Sequence, residues 1–307
     1  MTQRLTDWLL ESRIPTIRWR TLRDLLGRAE SDPDARAARQ SIMTEGPVPT
    51  ILAAQGESGA WVGENNYYTP KYTSGHWSMM LLAELDADGN DPRLQRGMDF
   101  IVGSPRLHWM NRESGISCFW GNQLRYAVLT GHAADPRIHG MIDYLVHDLR
   151  AESCRCSINS GLPCAWGAAR ALWGLAALPP DARTPEVETA IQSGVDFLVG
   201  SSYELVKANY PVSNEISSRW FDLNFPLFYQ VDILFVLRVL GELGALDRPG
   251  VQPALDWLEA KRGADGRWHG KSPYRSRTYA GMGGAEETHR WVSLHAATVL
   301  KRAGRLN

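Results

Sequence analysis

Residues 164–175 read CAWGAARALWGL, a stretch whose only charged side chain is Arg170. Its twelve residues make a little more than three turns of an α-helix. A helix that is apolar nearly all round is surrounded by protein, so this stretch predicts a buried helix. The same length and register recur along the chain at residues 74–85, 118–129, 232–243 and 289–300.

A more polar helix is predicted between successive apolar ones. Its marker is a triplet of acid, aromatic and aliphatic residues, which begins at Asp99, Asp143, Asp196 and Asp256. In three of the four copies a proline stands seven residues before the acid, at Pro92, Pro136 and Pro249. Proline is suited to the first turn of a helix, so each proline predicts a helix start.

Glycine-rich turns that end in tryptophan separate some of these helices. The clearest is residues 55–61, QGESGAW, and a degenerate copy is residues 262–268, RGADGRW. Glycine gives the turn its conformational freedom, and the tryptophan buries a large apolar face against the next helix.

This alternation predicts a repeat protein in which each hairpin supplies one inner and one outer helix. Residues 14–26 form a further inner helix in this interpretation. We expect an all-α fold, an α/α toroid of five to six helical hairpins with inner and outer rings, which occupies residues 1–307 as a single domain. No strand pattern competes with it.

The bulk composition excludes several classes of function. The chain has 307 residues and a formal net charge of -1, which argues against nucleic-acid binding. No apolar run approaches the roughly 20 residues that span a bilayer, and the N-terminus has no secretory signal pattern. We therefore expect a cytoplasmic protein without a transmembrane segment, whose four cysteines are too few for a disulfide scaffold.

The turn signature Gln-x-x-x-Gly-x-Trp at residues 55–61 resembles the QW repeat of the squalene and terpenoid cyclases and the protein prenyltransferases. Residues 117–122, 163–167, 225–232 and 290–294 resemble bacterial single-domain prenyltransferase or squalene-oxidase repeat proteins. The resemblance implies an α/α toroid with a central cavity. The Asp-x-Asp-Asp run of the protonating cyclases and the Asp-x-Cys spacing of the prenyltransferase zinc site are both absent.

Four residues that suit zinc occupy one register of the repeat. Cys118, Cys164, Asp232 and His289 each stand eleven residues before a leucine of an apolar helix. Thiolate, carboxylate and imidazole are the ligands that zinc prefers. We expect a zinc site that uses Cys118 and Cys164 with Asp232, completed by Cys156 or His289.

Each ligand also has a structural interpretation. The cysteines can be packed as small apolar side chains or form a redox pair. Asp232 can cap a neighbouring helix end, and His289 can be an exposed residue in the first turn of its helix. These alternatives stay open at the level of sequence.

Aromatic residues near the starts of the inner helices predict the lining of a substrate cavity. The expected substrate-binding residues are His76, Trp77, Trp120, Trp166, Tyr229 and Trp291. Aromatic rings bind apolar or cationic molecules, although aromatic residues in helices more often pack in the core.

The preferred prediction is a zinc-dependent enzyme that acts on a small, largely apolar, terpenoid-like substrate, with Asp232 and His289 as catalytic residues. A second is a metal-free cyclase or isomerase in which buried Asp232 donates a proton. A third is a non-enzymatic toroid that binds a lipid or a protein and contains a structural zinc.

Overall fold

A computed structural model of the chain describes residues 3–63, 66–104, 116–151, 154–199 and 218–306. Within these residues the fold is mostly helical, as predicted. The α-helices are α1 (Gln3–Leu10), α2 (Pro15–Arg20), α3 (Pro33–Ser41), α4 (Pro47–Ala53), α5 (Gly75–Glu84), α6 (Pro92–Val102), α7 (Ser117–Leu129), α8 (Pro136–Ala151), α9 (Ala165–Ala176), α10 (Pro185–Val199), α11 (Ile233–Glu242), α12 (Gln252–Ala260) and α13 (Ala285–Arg302).

The predicted apolar helices are present and buried. They correspond to α5, α7, α9, α11 and α13. In α9 the nine consecutive residues 167–175 are all buried. The predicted N-terminal member is α2, which a short π-helical turn, Thr21–Leu25, extends. Nowhere in the described ranges is a helix both long and apolar enough to cross a lipid bilayer.

The predicted polar helices are also present. Pro92 and Pro136 begin α6 and α8, and Pro249 begins a 3-10 turn that leads into α12. Each of these helices packs on an apolar one: α6 on α5, α8 on α7, α10 on α9, and α12 on α11 and α13. The sequence periodicity therefore identified both sets of helices correctly.

Successive apolar helices contact one another in chain order. Helix α5 packs on α7, α7 on α9, α9 on α11 and α11 on α13, and α13 packs on α2 and its π-helical turn. Hydrogen bonds also join α2 to the end of α5, because Thr16 Oγ1 donates to the carbonyl oxygen of Leu85 at 2.6 Å. Arg20 forms an ion pair with Asp86 at 2.7 Å in the same place.

The two glycine-rich turns are structural copies of each other. The indole nitrogens of Trp61 and Trp268 each donate at 2.7 Å to a carbonyl oxygen ten residues earlier, in Ile51 and Leu258. The first residue of each turn, Gln55 or Arg262, donates its side-chain N–H to the carbonyl oxygen four residues later. The degenerate turn thus keeps the geometry of the intact one.

A short strand pair departs from the sequence prediction. Strand β1 (Arg155–Cys156) pairs antiparallel with β2 (Leu162–Pro163) just before α9. Strands of two residues have no detectable alternation in the sequence, because a period of two needs several residues to show itself. This hairpin places Cys154 opposite Cys164 when its register is extended by one residue.

Two glycines bring α7 and α9 unusually close together. A methyl group on Gly121 would overlap the carbonyl oxygen of Arg170 and lie 2.7 Å from the backbone nitrogen of Ala171. A methyl group on Gly174 would lie 2.5 Å from the carbonyl oxygen of Gly121. Both contacts are with backbone atoms, so a side chain at either position would force the helices apart.

We expect Gly121→Ala to destabilise the protein by about 1–3 kcal/mol or more, because overpacking against backbone cannot be relieved by a change of rotamer. Urea unfolding followed by circular dichroism measures this change.

Gly241→Ala in α11 is the matched control, because a methyl group there meets only side-chain atoms at 3.4 Å or more. We expect that control to be neutral or to stabilise by up to about 1 kcal/mol, since alanine is the better helix former. Equal effects of the two substitutions would contradict close packing at Gly121.

Candidate functional site

Aromatic rings form a continuous cluster at the start of α5, α7 and α9 and in the segment before α11. Its ring contacts include Tyr68 with Trp77 at 4.9 Å, and His76 with Phe119 at 4.6 Å. We call this group the aromatic cluster, and its members are Tyr67, Tyr68, Tyr72, His76, Trp77, Phe119, Trp166, Phe228, Tyr229 and Tyr274.

Part of the aromatic cluster faces solvent. Tyr68, Phe119, Trp166 and Tyr229 are half-buried, and the thiol-bearing Cys118 beside Phe119 is half-buried as well. The ring centroids of Trp166 and Tyr229 are 6.5 Å apart. Exposed aromatic faces grouped in this way are typical of a site that takes up a small apolar molecule.

The predicted substrate-binding residues are divided between this cluster and the core. His76, Trp77, Trp166 and Tyr229 belong to the aromatic cluster. Trp120 is buried, and its ring lies 4.5 Å from that of Phe119 in the aromatic cluster and 6.4 Å from that of Tyr144 in α8. Trp291 is also buried and stacks on Phe225 with centroids 4.2 Å apart.

His76 is wholly buried at the floor of the aromatic cluster. Its Nδ1 atom lies 3.1 Å from the hydroxyl of Tyr126, and its Nε2 atom has no hydrogen-bond partner in the described part of the chain. Burial and, to a smaller extent, the charge of Arg170 together lower the pKa of His76 to about 3. The imidazole is therefore neutral at pH 7.

Asp232 is the N-cap of α11. One carboxylate oxygen accepts from the backbone N–H of Phe235 at 2.8 Å, and the other accepts from that of Asn224 at 3.0 Å. Burial raises the pKa of Asp232 to about 7, against the lowering effect of these hydrogen bonds. Both oxygens thus have structural partners, and the capping interpretation describes the contacts that this side chain makes.

His289 lies in the first turns of α13, where its Nδ1 atom accepts from the backbone N–H of Gly270 at 3.1 Å. Its ring is 4.9 Å from that of His269. Between residues 3 and 306, in the described ranges, no three His, Cys, Asp or Glu side chains are grouped so that they could hold a metal ion. The structure therefore does not bring Cys118, Cys164, Asp232 and His289 together as a set of ligands.

The cysteines nevertheless lie near one another around the β1–β2 hairpin. A methyl group on Gly167 would lie 3.2 Å from Cβ of Cys154 and 3.5 Å from Cβ of Cys164. Cys164 is the N-cap of α9, since its Sγ accepts from the N–H of Gly167 at 3.3 Å. Burial and, to a smaller extent, the neighbouring Cys156 raise the pKa of Cys118 to about 11.

Arg170, which is wholly buried in α9, is not among the site residues predicted from the sequence. Its Nε and Nη1 atoms have no hydrogen-bond partner among the described residues. Buried polar atoms without partners also occur in Gln123 and His76 on the neighbouring apolar helices. The sequence contains a signal for Arg170, because an isolated charge in an apolar helix needs a partner.

A cavity lies at the opposite ends of the apolar helices. Its volume is about 500 Å³, and its lining includes the ends of α5, α7, α9, α11 and α13. Two of its charged side chains form an ion pair, Arg125 with Glu242 at 2.6 Å, and a third, Asp86, pairs with Arg20. Because three of the four charged side chains in this lining, Asp86, Arg125 and Glu242, are already paired, we regard the aromatic cluster as the better candidate site.

Comparison of the chain with protein-family models, with curated proteins and with solved structures finds no match. The function proposed below therefore depends on the residues and their geometry.

We expect Asp232→Ala to lower the free energy of unfolding by about 1–2 kcal/mol, because both backbone N–H groups lose their acceptor. Asp232→Asn retains one acceptor oxygen and should cost less. The raised pKa makes the stability depend on pH. The folded protein holds the Asp232 proton more tightly than the unfolded chain does, so protonation favours folding below the native pKa of about 7.

The contribution of the Asp232 proton to the free energy of unfolding is complete below pH 4, where the carboxyl of the unfolded chain is also protonated. It is lost as the pH rises through 7. The stability of the wild type relative to Asp232→Asn should therefore fall between pH 4 and pH 8, by at most about 1.4 kcal/mol per pH unit. Urea unfolding at several pH values measures it. A difference that does not change with pH would refute the raised pKa.

Proposed function

We propose that this chain is an α/α toroid that binds and transforms a small, largely apolar, terpenoid-like molecule at the aromatic cluster. The ring would consist of α2, α5, α7, α9, α11 and α13. In support, each of these helices contacts the next, and Thr16 and Arg20 join α2 to the end of α5.

One observation carries the proposal: half-buried aromatic rings lie near buried side chains that each keep at least one polar atom without a hydrogen-bond partner in the described ranges. Tyr68, Trp166 and Tyr229 supply the exposed apolar surface. His76 and Arg170 supply the buried polar atoms. Apolar walls with a few convergent polar groups are characteristic of small-molecule sites.

Enzymatic action is part of this proposal, and His76 is the best-placed polar group. Its neutral imidazole can exchange hydrogen bonds with a ligand through Nε2, while Tyr126 holds Nδ1. Asp232 is a less suitable proton donor than the sequence indicated, because both its oxygens accept backbone hydrogen bonds.

Calorimetric titration of geraniol, a small terpenoid alcohol, into the purified protein tests the proposal. We expect saturable binding to the wild type and at least tenfold weaker binding to Trp166→Ala, since removal of the indole deletes one wall of the site.

Trp257→Ala is the matched control, because Trp257 is also half-buried but lies on α12 against Phe221. Geraniol should bind this variant as it binds the wild type. The aromatic cluster would be refuted as the binding site if the wild type bound neither geraniol nor an anion with the same apolar tail, or if both variants lost binding equally.

A zinc site is our second candidate, and the placement of the cysteines favours it. Cys154 and Cys164 flank Gly167, and Cys118 interacts electrostatically with Cys156 and Cys154. The raised pKa of Cys118 means that its thiol is protonated at pH 7, so zinc binding would have to displace a proton and draw the thiols together. A zinc ion at this site would stabilise the fold or would bind together with the substrate.

Elemental analysis of protein purified without a metal-affinity resin tests this second candidate. We expect about one zinc ion per chain in the wild type and close to none in the double variant Cys118→Ser/Cys164→Ser, because thiolates are the strongest zinc ligands available. Near-zero zinc in both proteins would refute the zinc site.

A further inference from the structure

The charge of Arg170 is the least satisfied in the described interior. The side chain is wholly buried, and its described hydrogen bond runs from Nη2 to the carbonyl oxygen of Gln230 at 2.8 Å. Its Nε and Nη1 atoms have no hydrogen-bond partner in the described chain. A buried guanidinium with two free nitrogens costs stability unless something else meets them.

The carboxylates that interact electrostatically with Arg170 have other direct partners. Glu84 accepts from Nη2 of Arg238 at 2.7 Å, and Asp232 accepts from the backbone N–H groups of Asn224 and Phe235. Arg170 instead stacks on aromatic rings, with its guanidinium carbon 3.9 Å from the ring centroid of Phe235. The buried pairs therefore leave one positive charge without a direct anionic partner among the described residues.

The titration of Arg170 agrees with this geometry. The pKa of Arg170 is lowered to about 9. Burial and the nearby charge of Arg238 lower it, and the carboxylate of Glu84 opposes them. The group is still charged at pH 7. Bound negative charge would raise that pKa again, because an opposite charge favours the ionised form.

Two further hydrogen-bond donors lie on the neighbouring apolar helices. The amide oxygen of Gln123 accepts from the hydroxyl of Tyr67 at 3.5 Å, which leaves Nε2 as a donor without a partner among the described residues. Nδ1 of His76 lies 3.1 Å from the hydroxyl of Tyr126, and the tautomer in which Nδ1 accepts from that hydroxyl has its proton on Nε2, free to donate. His76 and Arg170 also interact electrostatically.

Positive charge continues to the surface of the aromatic cluster. The Nζ atom of Lys71 lies 4.8 Å from the ring centroid of Tyr229 and 5.9 Å from that of Tyr68. Arg277 lies 4.6 Å from the ring centroid of Tyr72. Cations at the entrance raise the local concentration of an anionic ligand.

We propose that the ligand of the aromatic cluster is an amphipathic anion, whose carboxylate or phosphate head group is bound by Arg170 with Gln123 and His76. This inference rests on the proposed function, and it specifies the chemical class of the substrate. The planar guanidinium presents its free N–H groups as a fork that matches both head groups. The apolar body of the ligand lies against the aromatic rings.

Calorimetric titration with three probes that share one apolar tail tests the inference: geranic acid, geranyl monophosphate and geraniol. We expect at least one of the two anions to bind the wild type ten times more tightly than the alcohol. The tighter anion identifies the head group. If geraniol binds and neither anion binds more tightly, the head-group site is refuted while the proposed function stands.

Failure of all three probes to bind refutes the proposed function, and with it the head-group site. Arg170→Met should reduce the preference for the anion over geraniol to about onefold. Arg183→Met is the matched control, because Arg183 lies beyond the end of α9 and donates to the carbonyl oxygens of Ala176 and Leu178. It should keep the full preference.

The thermal stability of the unliganded variants separates a binding role from a structural one. If Arg170 serves a ligand, Arg170→Met should melt no lower than the wild type, since an apolar side chain replaces an unpaired buried charge. A large loss of melting temperature would show that Arg170 is structural. Arg170→Lys then gives a second measurement, because it keeps the charge but loses the fork, and unchanged anion preference in it would refute the inference.

Discussion

The close approach of α7 to α9 is the contact on which the geometry of the candidate site depends. It is possible because Gly121 and Gly174 have no side chains, so that the backbones of the two helices meet directly. This contact brings Gln123 on α7 next to the helix that carries Arg170. It also places Phe119, at the start of α7, among the aromatic rings of α5. Small residues at one crossing thus position polar and aromatic groups from three parts of the chain.

The starts of the apolar helices explain the register seen in the sequence. Asp232 and Cys164 are N-caps of α11 and α9, and each accepts a backbone N–H three residues later. A polar residue before an apolar run is what an uncapped helix end requires. The positions of these two N-cap residues in the register therefore have a local cause. Cys118 and His289 lie within the first turns of their helices instead.

Buried polarity distinguishes the interior of this protein from an ordinary apolar core. Glu84 and Arg238 form one buried ion pair, and Arg20 and Asp86 form another. Arg170 has neither a carboxylate nor a full set of hydrogen bonds among the described residues. Proteins tolerate such groups mainly where they serve a ligand. Arg170 also interacts electrostatically with His76, which belongs to the aromatic cluster.

The sequence by itself determined the helices, because a helix and its turns depend on residues close together in the chain. The apolar runs, the prolines at helix starts and the turns at Trp61 and Trp268 were all predicted from local patterns. Only the tertiary structure decided which polar residues gain partners. Asp232 and Arg170 are alike in sequence, isolated charges in apolar segments. Asp232 finds two backbone N–H groups because a loop folds back on its helix, whereas Arg170 meets aromatic rings and a single described carbonyl oxygen.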